Sequence, residues 1–442
     1  MAGPLSYPGA PRGLPVFPER FRSHHDAEQK LLSALGSRPA QADWPMLEKE
    51  LGKKPSGKKR AVYFHVPHCD RICTFCNLNR KERKGADLDS YTDFLVSELE
   101  AWGTYPYIRE QPFEAVYFGG GTPTVLSAEQ LARVLKALSG SIPLSPDCEI
   151  SVESTLHNLG PAKAEALEEA GVNRFSIGIQ TFSGRGRKLL GRSHDGEGAL
   201  RELEKLRRAF RGTLGIDIIY SYPEQSMEEV IHDGKTSLES GADSVSFYSL
   251  MIQGSSSLAQ DINEGKLTFA RTLEFDRERH NTLYRFLREG GFELLELSKL
   301  ALPGTDLYRY IRILYDNGEI LPIGSGAGGN IAGFGIYSMA PGQRFVSRGD
   351  KRYDFYHKIL GFLQFGVYDP QVITRDLGET AEHAVREKIE GYRTRGLLEG
   401  GSGFRLSADG VFWGNNMAVE ILNTAIQNEE KRDLPKTMHF SI

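Results

Sequence analysis

The sequence is poor in several features that usually reveal a protein's compartment or partner. Four cysteines are too few for the disulfide framework of a small secreted domain. No apolar run is long enough to span a membrane, and the first residues lack a charged segment followed by an apolar one, so we expect no secretory signal. Lysine and arginine total 54 against 58 acidic residues, a net charge of −4, which disfavours nucleic-acid binding through bulk charge. We therefore expect a protein of the reducing cytoplasm, with neither a membrane nor a nucleic acid as partner.

Three of the four cysteines stand together in the segment YFHVPHCDRICTFCNLN, directly after a short apolar run. Cys69, Cys73 and Cys76 give the spacing C-x3-C-x2-C. Three thiolates on one tight loop can hold three irons of a 4Fe–4S cluster and leave the fourth iron open to a substrate or cofactor. The remaining cysteine, Cys148, is far away in sequence and is most simply a small buried side chain.

A zinc site is the alternative interpretation of this triplet. Structural zinc takes four protein ligands, and His65 or His68 would have to supply the fourth. The motifs further along the chain favour the iron–sulfur cluster, with the three cysteines as its ligands and as the centre of catalysis.

The cysteine spacing resembles the signature of the radical S-adenosylmethionine (SAM) enzymes. The resemblance implies that SAM chelates the open iron through its amino and carboxylate groups. One electron from the reduced cluster would then break a carbon–sulfur bond of SAM and produce a 5′-deoxyadenosyl radical that abstracts hydrogen. The protein would position these groups and exclude water. A flavodoxin or ferredoxin is the expected electron donor for such a low-potential cluster.

The 442 residues are enough for a large core and more than one domain. We expect an N-terminal extension over residues 1–55, which starts rich in proline and glycine and becomes amphipathic over His25–Leu35. A barrel over residues 56–255 and a segment that covers it over residues 256–370 would follow. Residues 371–442 combine helical patterns with a glycine-rich hairpin and predict a smaller C-terminal helical and β-hairpin domain.

Within the barrel region, apolar strands alternate with amphipathic helices. This alternation predicts an α/β fold with a parallel sheet, and six such units fit an open, partial (β/α)6 barrel. The predicted strands are Ala61–Val66, Phe113–Phe118, Glu149–Val152, Arg174–Ile179, Gly215–Tyr220 and Asp243–Leu250. The predicted helices include Leu88–Trp102, Ala128–Leu138, Pro161–Ala170 and Met227–Leu238. Ligands of such sheets bind at the carboxyl ends of the strands.

Polar and glycine-rich motifs occur where several predicted strands end. Gly119–Thr124 reads GGGTPT, and glycines allow the backbone to approach a ligand closely. Glu153 ends the third strand and Gln180 the fourth, Arg192 follows twelve residues later, and Asp217 lies in the fifth strand. Polar groups buried at strand ends need partners, so as a set they favour a site for a small charged molecule. Each of them alone is more often structural.

Together these motifs resemble the subfamily of oxygen-independent coproporphyrinogen III oxidase. The resemblance rests on the order of YFHVPHCxxxCxxC, GGGTPT, the strand-end glutamate, RFSIGIQTF and DIIYSYP, and covers roughly residues 60–425. It implies two SAM molecules. The residues that it places against the cluster-bound SAM are Tyr63, Gly121 and Glu153. Those that it places around the second SAM are Phe75, Asn77, Thr122, Gln180, Arg192, Asp217 and Leu250. The glycine-rich stretch near Gly328 would close over both.

One position departs from the oxidase pattern. The oxidase carries a further cysteine two residues after the third cluster cysteine, where this chain has Leu78. The heme-chaperone relatives usually have aspartate where this chain has Asn77. With LPIGSGAGGNIAGF and FWGNN, the chain looks most like the anaerobic heme-degrading methyltransferases. That likeness implies an enzyme that opens heme to a methylated linear tetrapyrrole, releases the iron and uses two SAM molecules. A coproporphyrinogen oxidase-like decarboxylase and a heme chaperone remain the alternatives.

A heme substrate brings two propionates, which bind arginine or lysine side chains. Four arginines flank the glycine-rich segment and are the candidates: Arg309, Arg312, Arg344 and Arg348. A solvated charged face is the alternative explanation of the same residues.

Overall fold

The structure is a computed structural model, which describes residues 17–37, 39–76, 78, 80–252, 254, 256–400 and 404–429. In chain order, its strands are β1 (Ala40–Ala42), β2 (Arg60–Val66), β3 (His68–Cys69), β4 (Lys81–Glu82), β5 (Phe113–Gly120), β6 (Leu144–Ser154), β7 (Arg174–Gln180), β8 (Thr213–Tyr220), β9 (Ser244–Ser249), β10 (Glu293–Glu296), β11 (Lys299–Ala301), β12 (Glu319–Ile323), β13 (Gly328–Ile331), β14 (Phe334–Ala340), β15 (Gln343–Arg348), β16 (Leu398–Glu399) and β17 (Arg405–Leu406).

The helices surround this sheet and build the C-terminal region. In chain order they are α1 (His24–Leu35), α2 (Trp44–Leu51), α3 (Leu88–Trp102), α4 (Pro106–Arg109), α5 (Ala128–Ser141), α6 (Pro161–Glu169), α7 (Gly184–Leu189), α8 (Gly196–Ala209), α9 (Met227–Glu239), α10 (Ser257–Asn263), α11 (Leu273–Glu289), α12 (Arg309–Tyr315), α13 (Lys351–Gln364), α14 (Pro370–Ile373), α15 (Glu379–Thr394), α16 (Ala408–Phe412) and α17 (Gly414–Gln427). No helix in the described ranges is long and apolar enough to cross a membrane.

Six parallel strands form the centre of the fold, as the sequence predicted. The strands β2, β5, β6, β7, β8 and β9 are neighbours in that order, and each pair is parallel. Their helices begin where a side chain satisfies the free amide groups: Asp87 caps α3, and Ser127 and Ser226 form capping boxes on α5 and α9. The predicted partial (β/α)6 barrel is therefore confirmed.

The sheet continues beyond the six predicted strands at both edges. β12 pairs in parallel with β2, and β13, β14, β15 and β1 follow it antiparallel, while β11 and β10 extend the sheet beyond β9. The glycine-rich segment, predicted as a cover over the cofactors, thus forms strands β12 to β14 of the same sheet. Gly324 and Gly326 have φ values of +99° and +96° in the turn after β12, which a residue with a side chain rarely adopts.

The C-terminal region contains the predicted helices and hairpin, and the N-terminal segment packs on it. β16 and β17 form the hairpin between α15 and α16, and α1 lies against α13 and α17. The ring of Phe17 lies 5.1 Å from that of Trp413, and Arg20 donates to the carbonyl of Phe412 at 3.1 Å. The described part of the extension is therefore joined to the rest of the molecule.

Candidate active site

The loop that carries the three cysteines is closed at its base by a short parallel pairing of β3 and β4. The amide of Lys81 donates to the carbonyl of Pro67 at 2.7 Å, and the amide of Arg83 donates to that of Cys69 at 2.8 Å. The hydroxyl of Thr74 donates to the carbonyl of Leu189 at 2.7 Å and ties the middle of the loop to α7. These bonds hold the loop over the carboxyl ends of the parallel strands.

The glycine run at the end of β5 lets the backbone pass directly beneath this loop. The amide of Gly121 donates to the carbonyl of Val66 at 2.8 Å, and the amide of Thr122 donates to that of His68 at 2.9 Å. A β-carbon on Gly121 would lie 3.0 Å from the sulfur of Cys69 and 2.7 Å from the carbonyl oxygen of His68. Gly121 is thus required by close approach of two backbone segments beside a cysteine.

A cavity of about 420 Å³ lies beneath the loop at the carboxyl ends of the strands, within the size range of small-molecule sites. It brings together ten of the predicted site residues: Cys69, Cys73, Cys76, Phe75, Gly121, Thr122, Glu153, Gln180, Arg192 and Asp217. Residues that are far apart in sequence therefore share one cavity, at the end of the sheet where the sequence placed them.

Four of the predicted residues are not on the cavity wall or not described. Tyr63 stacks on Tyr117 behind Glu153. Leu250 is buried in an apolar cluster against which Phe75 also packs, and Gly328 pairs with Tyr337 in the sheet extension. Asn77 lies outside the described residues.

Glu153 is held by an aromatic layer inside the barrel. The hydroxyl of Tyr117 donates to Oε1 of Glu153 at 2.6 Å, and the rings of Tyr117, Tyr63 and Tyr310 stack against one another. Burial, together with the nearby Asp217, raises the pKa of Glu153 to about 7. This carboxyl therefore changes between its protonated and ionised forms near neutral pH.

Arg192 connects the fourth strand to the cysteine loop. Its guanidinium donates to the sulfur of Cys73 at 3.0 Å and also to the carbonyl of Gly178. Gln180 has a φ of +75° at an irregularity in the pairing of β7 with β8, which turns the strand end into the cavity. Burial also raises the pKa of Asp217. The cavity thus contains the guanidinium of Arg192 and the carboxyls of Glu153 and Asp217, whose ionisation is disfavoured by burial.

The cysteines fit the predicted cluster in their surroundings as well as in their spacing. The hydroxyl of Thr122 donates to the sulfur of Cys69 at 3.5 Å, and the guanidinium of Arg192 donates to that of Cys73, so each of these sulfurs has a hydrogen-bond donor beside it. No three His, Cys, Asp or Glu side chains in the described ranges form a group for a single metal ion. A 4Fe–4S cluster places each thiolate on a different iron, so its ligands need not converge on one point. Burial raises the pKa values of Cys69 and Cys76, so cluster binding would release protons from these thiols.

His65 and His68 lie beside the cluster loop but do not line the cavity. His65 is buried and receives a hydrogen bond from, or donates one to, the hydroxyl of Tyr63 at 3.1 Å. The ring of His68 packs on Tyr91 with 5.3 Å between centroids. Both histidines therefore pack against the strand and helix that support the loop.

The four arginines proposed for the propionates are not at this cavity. Arg309 pairs with Asp147 at 2.6 Å, and Arg344 pairs with Glu98. Arg312 lies over Phe365 and Arg348 lies over Phe334. None of the four lines the cavity, and the glycine-rich segment that they flank is part of the sheet and contributes no residue to the cavity wall. Their placement therefore gives no support to the expectation that they bind the propionates.

Several cavity residues were missed by the sequence analysis. They come from the three positions after the first cysteine and from the end of β6 with the turn that follows it: Asp70, Arg71, Ile72, Ser154, Thr155, His157 and Asn158. Asn158 donates to Asp70, so the turn and the cysteine loop are linked across the cavity. The cluster of polar residues that follows Glu153 is the signal that would have indicated this turn.

The chain resembles known proteins over most of its length. Residues 63–234 match the family model of the Radical SAM superfamily. Anaerobilin synthase of Escherichia coli O157:H7 is 30% identical over 392 residues, which are 85% of this chain and 86% of that protein. Heme chaperone HemW of Lactococcus lactis subsp. lactis is 30% identical over 65% of this chain and 74% of its own. The solved structure of coproporphyrinogen III oxidase from Escherichia coli, a radical SAM enzyme, matches 89% of this chain and 98% of that one with a TM-score of 0.72 at 19% identity, which supports the fold.

Proposed function

The chain belongs to the radical SAM superfamily, in the branch that resembles coproporphyrinogen III oxidase, and we propose that it is a methyltransferase that opens heme without oxygen. Membership of the superfamily implies a 4Fe–4S cluster and SAM. The proposed products are a methylated linear tetrapyrrole and free iron, formed with two SAM molecules.

The observation that carries this proposal is the extent of the similarity to anaerobilin synthase. That similarity spans 85% of the chain, whereas the similarity to the heme chaperone spans 65% at the same identity. Leu78 adds a local argument against decarboxylation. Leu78 lines the cavity mouth and is 55% exposed, at the position where the oxidase pattern has a cysteine. A leucine side chain cannot donate a proton or act as a thiolate.

In the proposed enzyme, Cys69, Cys73 and Cys76 hold the cluster. The cluster with its SAM supplies one-electron cleavage chemistry, and a second SAM supplies the methyl group. Glu153 would bind the ribose or the ammonium of the first SAM, and Gly121 would let its methionyl part lie against the backbone. The remaining polar residues of the wall, Thr122, Gln180, Arg192 and Asp217, would orient the second SAM, with Phe75 and Leu250 as apolar support.

The experiment that tests the proposal is an anaerobic reaction of reconstituted protein with heme, a strong reductant and SAM labelled in its methyl group. We expect loss of the heme Soret band and a labelled, open tetrapyrrole. We also expect 5′-deoxyadenosine and S-adenosylhomocysteine as products, because one SAM is cleaved and the other gives up its methyl group. The protein without reductant is the control.

Other outcomes would replace the proposal with one of its alternatives. Intact bound heme without S-adenosylhomocysteine would indicate a heme chaperone. Loss of propionate carboxyls from a porphyrinogen would indicate a decarboxylase. An open tetrapyrrole without label would contradict methyl transfer from SAM.

The pKa of Glu153 predicts a pH dependence of SAM binding. The protonated carboxyl dominates below about pH 7, and the ionised form is the one that binds an ammonium or accepts from a ribose hydroxyl. Affinity for SAM should therefore rise with pH, by up to about tenfold per unit, and level off above about pH 7. Calorimetric titrations between pH 5.5 and 8.5 would measure this.

Matched variants separate Glu153 from general effects of pH. Glu153→Gln should bind SAM more weakly at pH 8 and show a flat profile through neutral pH. Glu197→Gln is the control, because Glu197 is 89% exposed and forms a surface ion pair with Arg201 on α8. A Glu153→Gln profile that still rises like that of the natural protein would assign the pH dependence to another group.

A further inference from the structure

Three arginines line the cavity, and two of them are already engaged. Arg192 donates to Cys73 and Gly178, and Arg80 donates to the carbonyls of Leu78 and Cys76. Arg71 is exposed and makes no hydrogen bond or ion pair with any residue that the structure describes. Its neighbour Asp70 pairs with Arg83 at 2.9 Å and accepts from Asn158, so it does not neutralise Arg71. Within the described part of the chain, Arg71 is therefore the arginine of the cavity mouth whose guanidinium donors have no protein partner.

Two large apolar side chains stand beside this arginine on the same loop. Ile72 and Leu78 line the cavity with 36% and 55% of their surface exposed, and both are among the few large hydrophobic residues that the described chain leaves in solvent. Exposed apolar groups at a cavity mouth mark a surface that another molecule covers. A free cation next to them indicates that this molecule has an anionic group as well as an apolar body.

Resting on the proposed function, we propose that Arg71 binds a propionate of heme while Ile72 and Leu78 contact the macrocycle. Heme is a flat apolar ring with two carboxylates on one edge, and guanidinium groups bind carboxylates through paired hydrogen bonds. Arg71 and Ile72 stand between the first and second cluster cysteines, so a propionate bound there places the ring over the cavity that holds the cluster ligands. The loop would then hold the cluster on one side and select a carboxylated apolar substrate on the other.

The test compares binding of heme and of its dimethyl ester, which has the same ring and no carboxylate. Equilibrium binding is followed by absorbance for the natural protein, Arg71→Gln, Arg71→Lys and Arg309→Gln. Arg71→Gln should weaken heme binding by about 10- to 100-fold, as expected for loss of a charge-assisted hydrogen bond, and leave ester binding within about twofold. Arg71→Lys should retain part of the affinity. Arg309→Gln should change neither ligand, because Arg309 pairs with Asp147 away from the cavity.

A second pair of variants tests the apolar contact. Leu78→Ser should weaken heme and ester binding by a similar factor, whereas Leu307→Ser should change neither, since Leu307 is 51% exposed but does not line the cavity. Equal loss of heme and ester in Arg71→Gln would overturn the carboxylate assignment, and so would no loss of heme. Failure of the natural protein to bind heme at all would instead contradict the proposed function, so the two failures are distinguishable.

Discussion

Gly121→Ala is expected to leave a folded barrel that assembles little or no iron–sulfur cluster. The added β-carbon would lie 2.7 Å from the carbonyl oxygen of His68, 2.9 Å from the carbonyl carbon of Pro67 and 3.0 Å from the sulfur of Cys69. The backbone at Gly121 is restrained, because its amide donates a hydrogen bond to the carbonyl of Val66 at 2.8 Å. The overlap must therefore be relieved by displacing the cysteine loop, which costs about 1–3 kcal/mol. This cost corresponds to a decrease of about 5- to 150-fold in the equilibrium constant for cluster binding by the loop.

Iron and sulfide per chain after anaerobic reconstitution would measure this effect. The matched control is Gly140→Ala in α5, where a β-carbon meets nothing within 4 Å. That variant should bind as much iron as the natural protein and be equally or slightly more stable, because alanine favours a helix over glycine. Full iron content in the Gly121→Ala protein would contradict the prediction, since it would show that the cysteine loop accommodates the β-carbon and still binds the cluster.

Asp276→Asn is expected to destabilise the protein by about 3–5 kcal/mol, since it removes the carboxylate that three arginines share in a largely buried cluster. Asp276 accepts from Arg271 at 2.7 Å and from Arg20 at 3.1 Å, and Arg22 lies 3.8 Å away. Burial alone would raise the pKa of Asp276, but Arg271 and Arg20 outweigh it and hold the pKa below its usual range. A neutral asparagine would leave these three guanidinium groups close together without a carboxylate within 4 Å among the described residues.

The effect would be measured as the shift of the denaturant midpoint and of Tm. Arg20 also donates to Tyr220 and to the carbonyl of Phe412, so the N-terminal segment should become sensitive to protease at lower denaturant concentrations than in the natural protein. Asp261→Asn is the control. Its partner Lys266 is largely exposed, and such pairs contribute at most about 1 kcal/mol. If Asp276→Asn lowered the denaturant midpoint and Tm no more than the control does, this result would contradict a stabilising role for Asp276.

The cluster motif and the parallel core were predictable because their signals are local. Cys69, Cys73 and Cys76 lie within eight residues, and the six strands with their helices each follow a short repeating pattern of apolar residues. Parallel strands place their carboxyl ends at one edge of the sheet, so Glu153, Gln180 and Asp217 had to approach the cysteine loop once the strands were recognised. The cavity shared by these residues follows from that rule.

Other features depend on contacts between distant segments, and no local pattern reports them. The glycine-rich stretch forms β12, which pairs with β2 more than 250 residues earlier in the chain. Arg309 and Arg344, which flank this stretch, pair with Asp147 and Glu98 and do not line the cavity. Arg20 meets Asp276 only because the N-terminal segment packs across the C-terminal helices. The sequence around Arg71 looks like that of any loop arginine. The folded structure distinguishes it, because its charged neighbours are bound elsewhere: Arg80 to Leu78, Arg192 to Cys73 and Asp70 to Arg83.

Local periodicity thus determines which elements form and which strand ends carry polar groups. Pairing across the chain determines which of the charged side chains remain available to a ligand, because a charge that has found a buried partner is no longer free to bind one.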